Sequence, residues 1–281
     1  MILLVVGSDR VDAGKTTFSV GLLERTGAVG YKPRAGNDYW FDHDDCQRAL
    51  TEGRLYGKDA QKLARAESRG REPESLNPVH RLWRPTPDDG TGLLGKTDRE
   101  FLVDRIGRPG AEDDPTFVYN ETATIPERVV ESLPLEDAVP VETVEEFNEI
   151  ADQRYVPAFE DLAREIESTS VAVVESYSDI AQPLQSLDHA AISAVAAVEP
   201  GRVRIYPGDR YCRACEVASS SPKDGTLEKR VPDVLELLDP LERIRLPPLG
   251  SDTRSAPARV ARAYETAYDE LLAAANRVSS H

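Results

Sequence analysis

Apolar residues gather in short runs along the chain, and the spacing of these runs predicts an alternation of strands and helices. The first run, Met1 to Val6, predicts a buried strand, and a helix carrying Phe18 and Leu22 is predicted to begin at Lys15. Five later runs predict further strands, at residues 28–33, 170–174, 190–198, 202–206 and 243–246. Helical patterns lie at 46–68 with a break near 53–57, at 142–168 with a kink at Pro157, at about 227–238 and at about 255–277.

Strands separated by helices predict an α/β fold with a mainly parallel sheet that is covered by helices on both faces. Residues 69–140 interrupt this alternation, because they are rich in Pro, Gly and charged residues. Short strands are predicted there at 79–83, 100–106 and 116–119, and about 88–140 is predicted to be an insertion with one or two hairpins. We therefore expect residues 1–281 to form a single domain that carries this insertion.

The junction between the first strand and the first helix carries a phosphate-binding pattern. Gly7 follows the strand, and Gly14-Lys15-Thr16 opens the helix. A strand, a loop, Gly-Lys-Thr and a helix are together typical of a loop whose backbone N–H groups bind polyphosphate oxygens. Lys15 is predicted to reach the β- and γ-phosphates, and the Thr16 hydroxyl to bind Mg²⁺. The residues predicted to hold the nucleotide are Gly7, Asp12, Ala13, Gly14, Lys15, Thr16 and Thr17.

The phosphate-binding pattern departs from its usual form at one position. Asp9 occupies the place of the first glycine, so that the loop counted from Gly7 is longer than usual. The alternative interpretation is an ordinary strand-to-helix turn that happens to contain Gly-Lys-Thr.

Charged residues follow two other predicted strands, and ligands of parallel sheets bind at the carboxyl ends of the strands. Glu175 follows the strand at 170–174, where a carboxylate commonly holds Mg²⁺ or its water. Lys32 ends the second strand, where an ammonium group could stabilise a γ-phosphate or hold an anionic substrate. The alternative for both residues is a solvated charge at the end of a strand.

Several short motifs along the chain resemble those of one known family. They are Gly7-Ser8-Asp9 leading to Gly14-Lys15-Thr16, Gly30-Tyr31-Lys32-Pro33, Gly57-Lys58-Asp59-Ala60, Asn77-Pro78 with Pro85-Thr86-Pro87, Val174-Glu175, and Leu246-Pro247-Pro248-Leu249. Their order resembles dethiobiotin synthetase and its relatives the cobyrinic acid amide synthases, which belong to the deviant group of P-loop ATPases. The usual Gly-rich turn after the glutamate is replaced here by Ser176-Tyr177-Ser178-Asp179.

This resemblance implies a P-loop NTPase fold and a set of roles. Thr16, Asp59 and Glu175 would hold Mg²⁺, while Lys15 and Lys32 would contact the transferred phosphate. Asp9 or Asp12 is the candidate to orient or deprotonate a substrate group, and the family's substrate is not carried over.

The expected function is ATP- and Mg²⁺-dependent transfer of a γ-phosphoryl group to a small carboxylate or carbamate, in a ligase-type reaction. The alternative is a regulatory ATPase switch that acts through dimerisation or a protein partner. A binding protein without turnover is a third class.

Composition limits the partners and the compartment. The 281 residues contain 34 Lys and Arg against 50 Asp and Glu, which gives a formal net charge of −16. Such an acidic, lysine-poor chain favours a halophilic cytosol, and the alternative is simply an acidic soluble protein. In either case the chain lacks the basic stripe that nucleic-acid binding requires. No charged n-region or cleavage site is recognisable, so that we expect no signal peptide, and no apolar run is long enough to span a membrane. We expect a cytoplasmic protein that binds a nucleotide and a small anion, with a homodimer as the candidate assembly.

Two further groups of residues have alternative interpretations. Cys212 and Cys215 form a CxxC motif, and together with His43 and Cys46 they could make a zinc site. The alternatives are two small, partly buried cysteines or a redox pair. The aromatic run from Tyr39 to Phe41 could line a substrate pocket or pack a loop onto the domain.

Overall fold

A computed structural model describes most of the chain. The described residues are 1–8, 14–67, 69–86, 90–108, 114–218 and 228–278. Contacts between Cα atoms divide the chain into two compact units. The first unit consists of Met1–Pro33, Lys62–Arg71 and Ala163–His281, and the second consists of Arg34–Gln61 and Glu72–Leu162.

The chain has an α/β fold with two mixed sheets. The strands are β1 (Ile2–Gly7), β2 (Val29–Tyr31), β3 (Arg34–Asp38), β4 (Val79–Pro85), β5 (Arg99–Ile106), β6 (Thr116–Asn120), β7 (Val139–Val141), β8 (Ala172–Glu175), β9 (Ile192–Glu199), β10 (Arg202–Pro207) and β11 (Glu242–Arg245). The helices are α1 (Lys15–Thr26), α2 (His43–Thr51), α3 (Lys58–Ala66), α4 (Pro73–Leu76), α5 (Glu127–Ser132), α6 (Val144–Ile150), α7 (Val156–Ser168), α8 (Gly208–Val217), α9 (Val231–Leu235), α10 (Ser251–Arg254), α11 (Pro257–Ala263) and α12 (Glu265–Val278). A π-helical stretch, Ala151–Tyr155, joins α6 to α7.

The sheet of the first unit has the strand order β11-β10-β9-β1-β8-β2. Strands β9, β1, β8 and β2 are mutually parallel, whereas β10 and β11 are antiparallel to their neighbours. All six residues of β1 are buried, as is usual for a central parallel strand that is covered on both faces. The prediction of a mainly parallel sheet therefore holds for four of the six strands.

Helix α1 packs closely against the end of the chain. Tyr268 of α12 is fully buried, and its hydroxyl donates a hydrogen bond to the carbonyl oxygen of Phe18 at 2.9 Å. Gly21 faces this contact, and a Cβ atom built on it would lie 2.7 Å from Val260 Cγ1 and still closer to the Tyr268 hydroxyl. Only a glycine therefore fits at this point of the helix.

Replacing Gly21 with Ala should lower the free energy of unfolding by about 1–3 kcal/mol, because the new methyl group overpacks a filled contact. Helix propensity alone would predict a gain in stability, because it favours Ala over Gly by about 1 kcal/mol. Urea unfolding followed by circular dichroism at 222 nm measures the change. Gly250→Ala is the matched control, since a Cβ there meets no atom within 4 Å. Equal stability of the two variants would contradict the prediction.

The sheet of the second unit has the order β3-β4-β5-β6-β7. Side chains alternate between its two faces. Leu82 and Leu102 belong to one buried cluster, together with Leu50 of α2, whereas Trp83 and Phe101 belong to another. The predicted strands at 79–83, 100–106 and 116–119 are confirmed as β4, β5 and β6. The predicted insertion, about 88–140, lies within this larger unit, and the prediction of a single domain stays a prediction.

A buried ion pair lies in the second unit. Arg81 donates two hydrogen bonds to the fully buried Asp104, at 2.7 and 2.5 Å, and Tyr155 donates a third. The Arg81 guanidinium also stacks over three aromatic rings, at 5.0 Å from Trp83, 5.1 Å from Phe101 and 5.2 Å from Phe147. The neighbouring carboxylate raises the pKa of Arg81 above its ordinary value despite burial.

One predicted helix is wrong, one predicted kink takes another form, and some elements of the structure were not predicted. The helix predicted at about 255–277 is wrong as a single element, because Pro257 begins a new helix and Tyr264 separates α11 from α12. The kink predicted at Pro157 corresponds to the π-helical stretch before α7. Strand β3 and helix α8 were not predicted. Among the described helices, none has the length and apolar character needed to cross a membrane.

Candidate functional site

The carboxyl ends of β1 and β8 lie side by side in the first unit, because Val5 pairs with Glu175 in parallel register. Gly7 ends β1, and α1 begins eight residues later at Lys15. Gly14 precedes the helix with φ +88°, a left-handed conformation that favours glycine. The N-terminal N–H groups of α1 have no partners within the helix and are suited to an anion.

Three side chains converge on the end of β8. Glu175 is fully buried, and its Oε1 accepts a hydrogen bond from the Thr16 hydroxyl at 2.8 Å. The same oxygen accepts a hydrogen bond from Lys32 Nζ at 2.5 Å, and the Lys32 side chain is only 5% exposed. A helix start and two strand ends thus supply one carboxylate, one hydroxyl and one ammonium group.

The two carboxylate oxygens of Glu175 differ in their hydrogen bonding. Oε2 is buried, and it has no hydrogen-bond partner among the described residues. A buried carboxylate oxygen without a donor is costly. A carboxylate and a threonine hydroxyl are the hard oxygen ligands that Mg²⁺ prefers, so that the residues present fit a magnesium ion.

Lys15 is also buried in this region. Its Nζ donates a hydrogen bond to the carbonyl oxygen of Ser178 at 2.7 Å. Ser178 has φ +51°, an uncommon conformation for a residue other than glycine, in the loop that follows β8. The same loop is anchored by Asp179, which accepts hydrogen bonds from Arg230 and whose carbonyl accepts from Val231 N at 2.7 Å.

A cleft opens beside Gly14 in the first unit. It has a volume of about 190 Å³, and its walls include side chains of apolar or aromatic character. The residues that line it are Gly14, Val198, Glu199, Pro200, Gly201, Leu246, Pro247, Pro248 and Tyr264. The Glu199 carboxylate is engaged by Arg202 and Arg204, so that the polar groups left to face a ligand are mainly backbone atoms.

Within the first unit, the structure brings together three of the predicted site residues, Thr16, Lys32 and Glu175. Asp59 is the second residue of α3 and belongs to the second unit, so that its part in the metal site stays a prediction. Thr17 lies in the first turn of α1. The predicted residues Asp9, Asp12 and Ala13 lie outside the described residues.

The predicted zinc site is not supported. Cys212 and Cys215 lie on α8 of the first unit, whereas His43 and Cys46 lie on α2 of the second. Within the described ranges, no group of three or more His, Cys, Asp or Glu side chains is placed to hold a metal ion.

Burial also makes the cysteines poor ligands and poor redox groups. It raises the pKa of Cys212 to about 11, and the pKa values of Cys215 and Cys46 to about 12. Because the thiolate is both the metal ligand and the nucleophile, these protonated thiols favour the interpretation of small buried residues.

The three aromatic residues of the second unit that follow β3, Tyr39 to Phe41, differ in burial. Tyr39 packs against a buried cluster, but Trp40 is 73% exposed and Phe41 is 79% exposed. Asp38 Oδ1 accepts hydrogen bonds from the backbone N–H groups of both exposed residues. Trp40 and Phe41 therefore do not pack a loop onto the second unit, and a substrate pocket lined by this run stays a prediction.

Sequence reasoning missed two features of the site. The contact of Ser178 with Lys15 depends on a backbone carbonyl, which leaves no side-chain signature in the sequence. Tyr264 of the cleft lies far along the chain, in a segment predicted as plain helix. The sequence feature that could have indicated the cleft was the Pro247-Pro248 pair after β11, because both prolines line it.

No protein-family model matches the chain, and neither a curated protein nor a solved structure matches it. The likeness to the dethiobiotin synthetase family accordingly consists of the ordered sequence motifs alone.

Proposed function

We propose that the first unit binds ATP together with Mg²⁺ and transfers the γ-phosphoryl group to a small carboxylate or carbamate, with the fold and order of motifs of a dethiobiotin synthetase-like P-loop NTPase. The observation that carries this proposal is the convergence of Thr16 and Lys32 on buried Glu175, beside the N-terminus of α1. An ordinary strand-to-helix turn needs neither a buried carboxylate nor a buried lysine at this position, since both are costly to desolvate.

The phosphates of the nucleotide would lie at the start of α1. The N–H groups of the first turn, which have no acceptor within the helix, and the Lys15 ammonium supply donors and positive charge there. Lys15 would exchange the carbonyl oxygen of Ser178 for a phosphate oxygen. A charged acceptor forms the stronger hydrogen bond, which favours this exchange.

Thr16 and Glu175 would hold the magnesium ion, since Oε2 of Glu175 has no donor within the described part of the chain. The ion supplies charge neutralisation between the β- and γ-phosphates when it is bound. Lys32 lies on the same carboxylate and would stabilise negative charge on the transferred group or hold the anionic acceptor.

The cleft beside Gly14 is suited to the nucleobase. Val198, Pro247 and Tyr264 provide flat or apolar walls for a heteroaromatic ring. Because the carboxylate of Glu199 is paired with two arginines, base recognition would rest on backbone N–H and carbonyl groups.

Replacing Lys15 with Ala should weaken ATP binding by about 10–100-fold, since hydrogen bonds to charged groups contribute about 1.5–3 kcal/mol. Titration with a fluorescent ATP analogue, at high and at low KCl concentration, measures the affinity directly. Lys62→Ala is the matched control, because Lys62 is an exposed lysine of the same unit. Equal affinity of the wild type and Lys15→Ala would contradict nucleotide binding at this loop.

Turnover separates the proposed ligase chemistry from a regulatory switch. Slow basal hydrolysis that a small carboxylic acid or a carbamate-forming amine stimulates is the expected result. Brisk hydrolysis without any acceptor, coupled to a change in oligomeric state, would instead favour the regulatory ATPase. Competition of GTP against the ATP analogue tests whether the cleft distinguishes guanine from adenine.

A further inference from the structure

The ammonium group of Lys32 lies on the carboxylate that would bind the metal ion. Lys32 Nζ is 2.5 Å from Glu175 Oε1, and the Lys32 and Glu175 side chains are 5% and 0% exposed. Buried opposite charges at this distance attract each other strongly. Thr16, the second candidate ligand, donates its hydrogen bond to the same oxygen.

We propose that the Lys32 ammonium group neutralises Glu175 before the nucleotide binds and thereby prevents free divalent metal ions from binding to this carboxylate. Lys32 leaves the carboxylate only when metal and nucleotide enter together. This inference rests on the proposed function, because it concerns the order in which ligands occupy that same site.

Charge balance is the physical reason. The Lys32 ammonium and the Glu175 carboxylate carry opposite charges that balance each other. A free divalent cation would add positive charge next to the ammonium group that already neutralises this carboxylate. A nucleoside triphosphate brings more negative charge than its metal ion brings positive charge, and its γ-phosphate offers Lys32 a new anionic partner.

Lys32 must give up a strong hydrogen bond before a metal ion can take its place on Glu175. Its ammonium group donates to a charged carboxylate, and hydrogen bonds to charged groups are the stronger ones. The release of Lys32 therefore depends on the metal ion and on a new anionic partner for the ammonium group.

Binding of Mn²⁺ without nucleotide tests this inference, with the free-ion signal in electron paramagnetic resonance as the readout. Wild type should show no saturable submillimolar binding. Lys32→Gln keeps a donor for Glu175 but removes the charge, and it should bind Mn²⁺ at least about tenfold more tightly. Lys32→Arg keeps the charge and should behave as the wild type. Adding Glu175→Gln to Lys32→Gln should abolish the gain.

Equal Mn²⁺ affinity of the wild type and Lys32→Gln would overturn the inference, as would tight Mn²⁺ binding by the wild type alone. Lys32→Met is the second neutral variant, should Lys32→Gln fail to fold. The fluorescent ATP analogue is titrated in parallel with each variant. A wild type that binds no analogue refutes the proposed function, whereas the comparison of Mn²⁺ affinities still decides whether Lys32 blocks the metal.

Discussion

Replacing Asp104 with Asn should lower the free energy of unfolding of the second unit by about 3–5 kcal/mol, the usual cost of breaking a buried ion pair. Asn keeps the shape of the side chain but removes its charge. Arg81 would then keep its positive charge among the rings of Trp83, Phe101 and Phe147 with a neutral amide in place of the carboxylate. The hydroxyl of Tyr155 would also lose its charged acceptor.

Tryptophan fluorescence reports on this change selectively. The chain contains two tryptophans, Trp40 and Trp83, and both lie in the second unit. Trp83 is only 7% exposed and stacks on Arg81, whereas Trp40 is already 73% exposed. The change in emission during urea unfolding will therefore come mainly from Trp83.

Two comparisons make the result specific to the buried pair. Asp45→Asn removes the i,i+3 partner of Arg48, a pair on α2 whose arginine is 49% exposed, and it should cost less than about 1 kcal/mol. The double variant Arg81→Met with Asp104→Leu should recover most of the loss, because apolar residues replace a buried pair at little cost. A loss for Asp104→Asn as small as that for Asp45→Asn would contradict the prediction.

The apolar runs predicted the strands of the first unit but not how all of them pair. Strand β1 and strand β8 are continuous apolar segments, and such segments are typical of parallel strands. The sheet was expected to be mainly parallel, but β9 and β10 are antiparallel. Only Pro200 and Gly201 connect them, which is far short of the dozen or so residues that a crossover needs, so that they form an antiparallel hairpin. The length of this connection was the overlooked signal.

Strand β3 shows where local sequence is insufficient. Its residues, Arg34 to Asp38, have little intrinsic preference for a strand, and it forms by pairing in parallel with β4.

For the candidate site, in contrast, local sequence was sufficient to predict most of the residues. Lys32 and Glu175 end apolar runs and were selected by the strand-end rule, whereas Thr16 was selected by the Gly-Lys-Thr motif, and the three residues meet in the fold. The contact of Lys15 with Ser178 required the loop conformation, which no side-chain pattern encodes.

Replacing Glu175 with Gln should reduce ATP turnover by at least about a hundredfold and remove the effect of Mg²⁺ on nucleotide affinity. The amide is a neutral and weak ligand for a hard cation, although it keeps an oxygen that can accept hydrogen bonds from Thr16 and Lys32. Nucleotide binding without metal should persist, because Lys15 and the N-terminus of α1 remain. Phosphate release and titration of the fluorescent ATP analogue, with Mg²⁺ and with a chelator, measure the two effects.

Glu199→Gln provides a matched control for the loss at Glu175. Glu199 ends β9, the parallel strand on the other side of β1, and is 5% exposed, but its carboxylate is paired with Arg202 and Arg204. Its loss should reduce stability and leave the response to Mg²⁺ intact. If both variants lose that response equally, the effect comes from disturbed strand ends and the metal role of Glu175 is refuted. If only Glu175→Gln loses the response to Mg²⁺, the Glu175 carboxylate is the one that binds the metal.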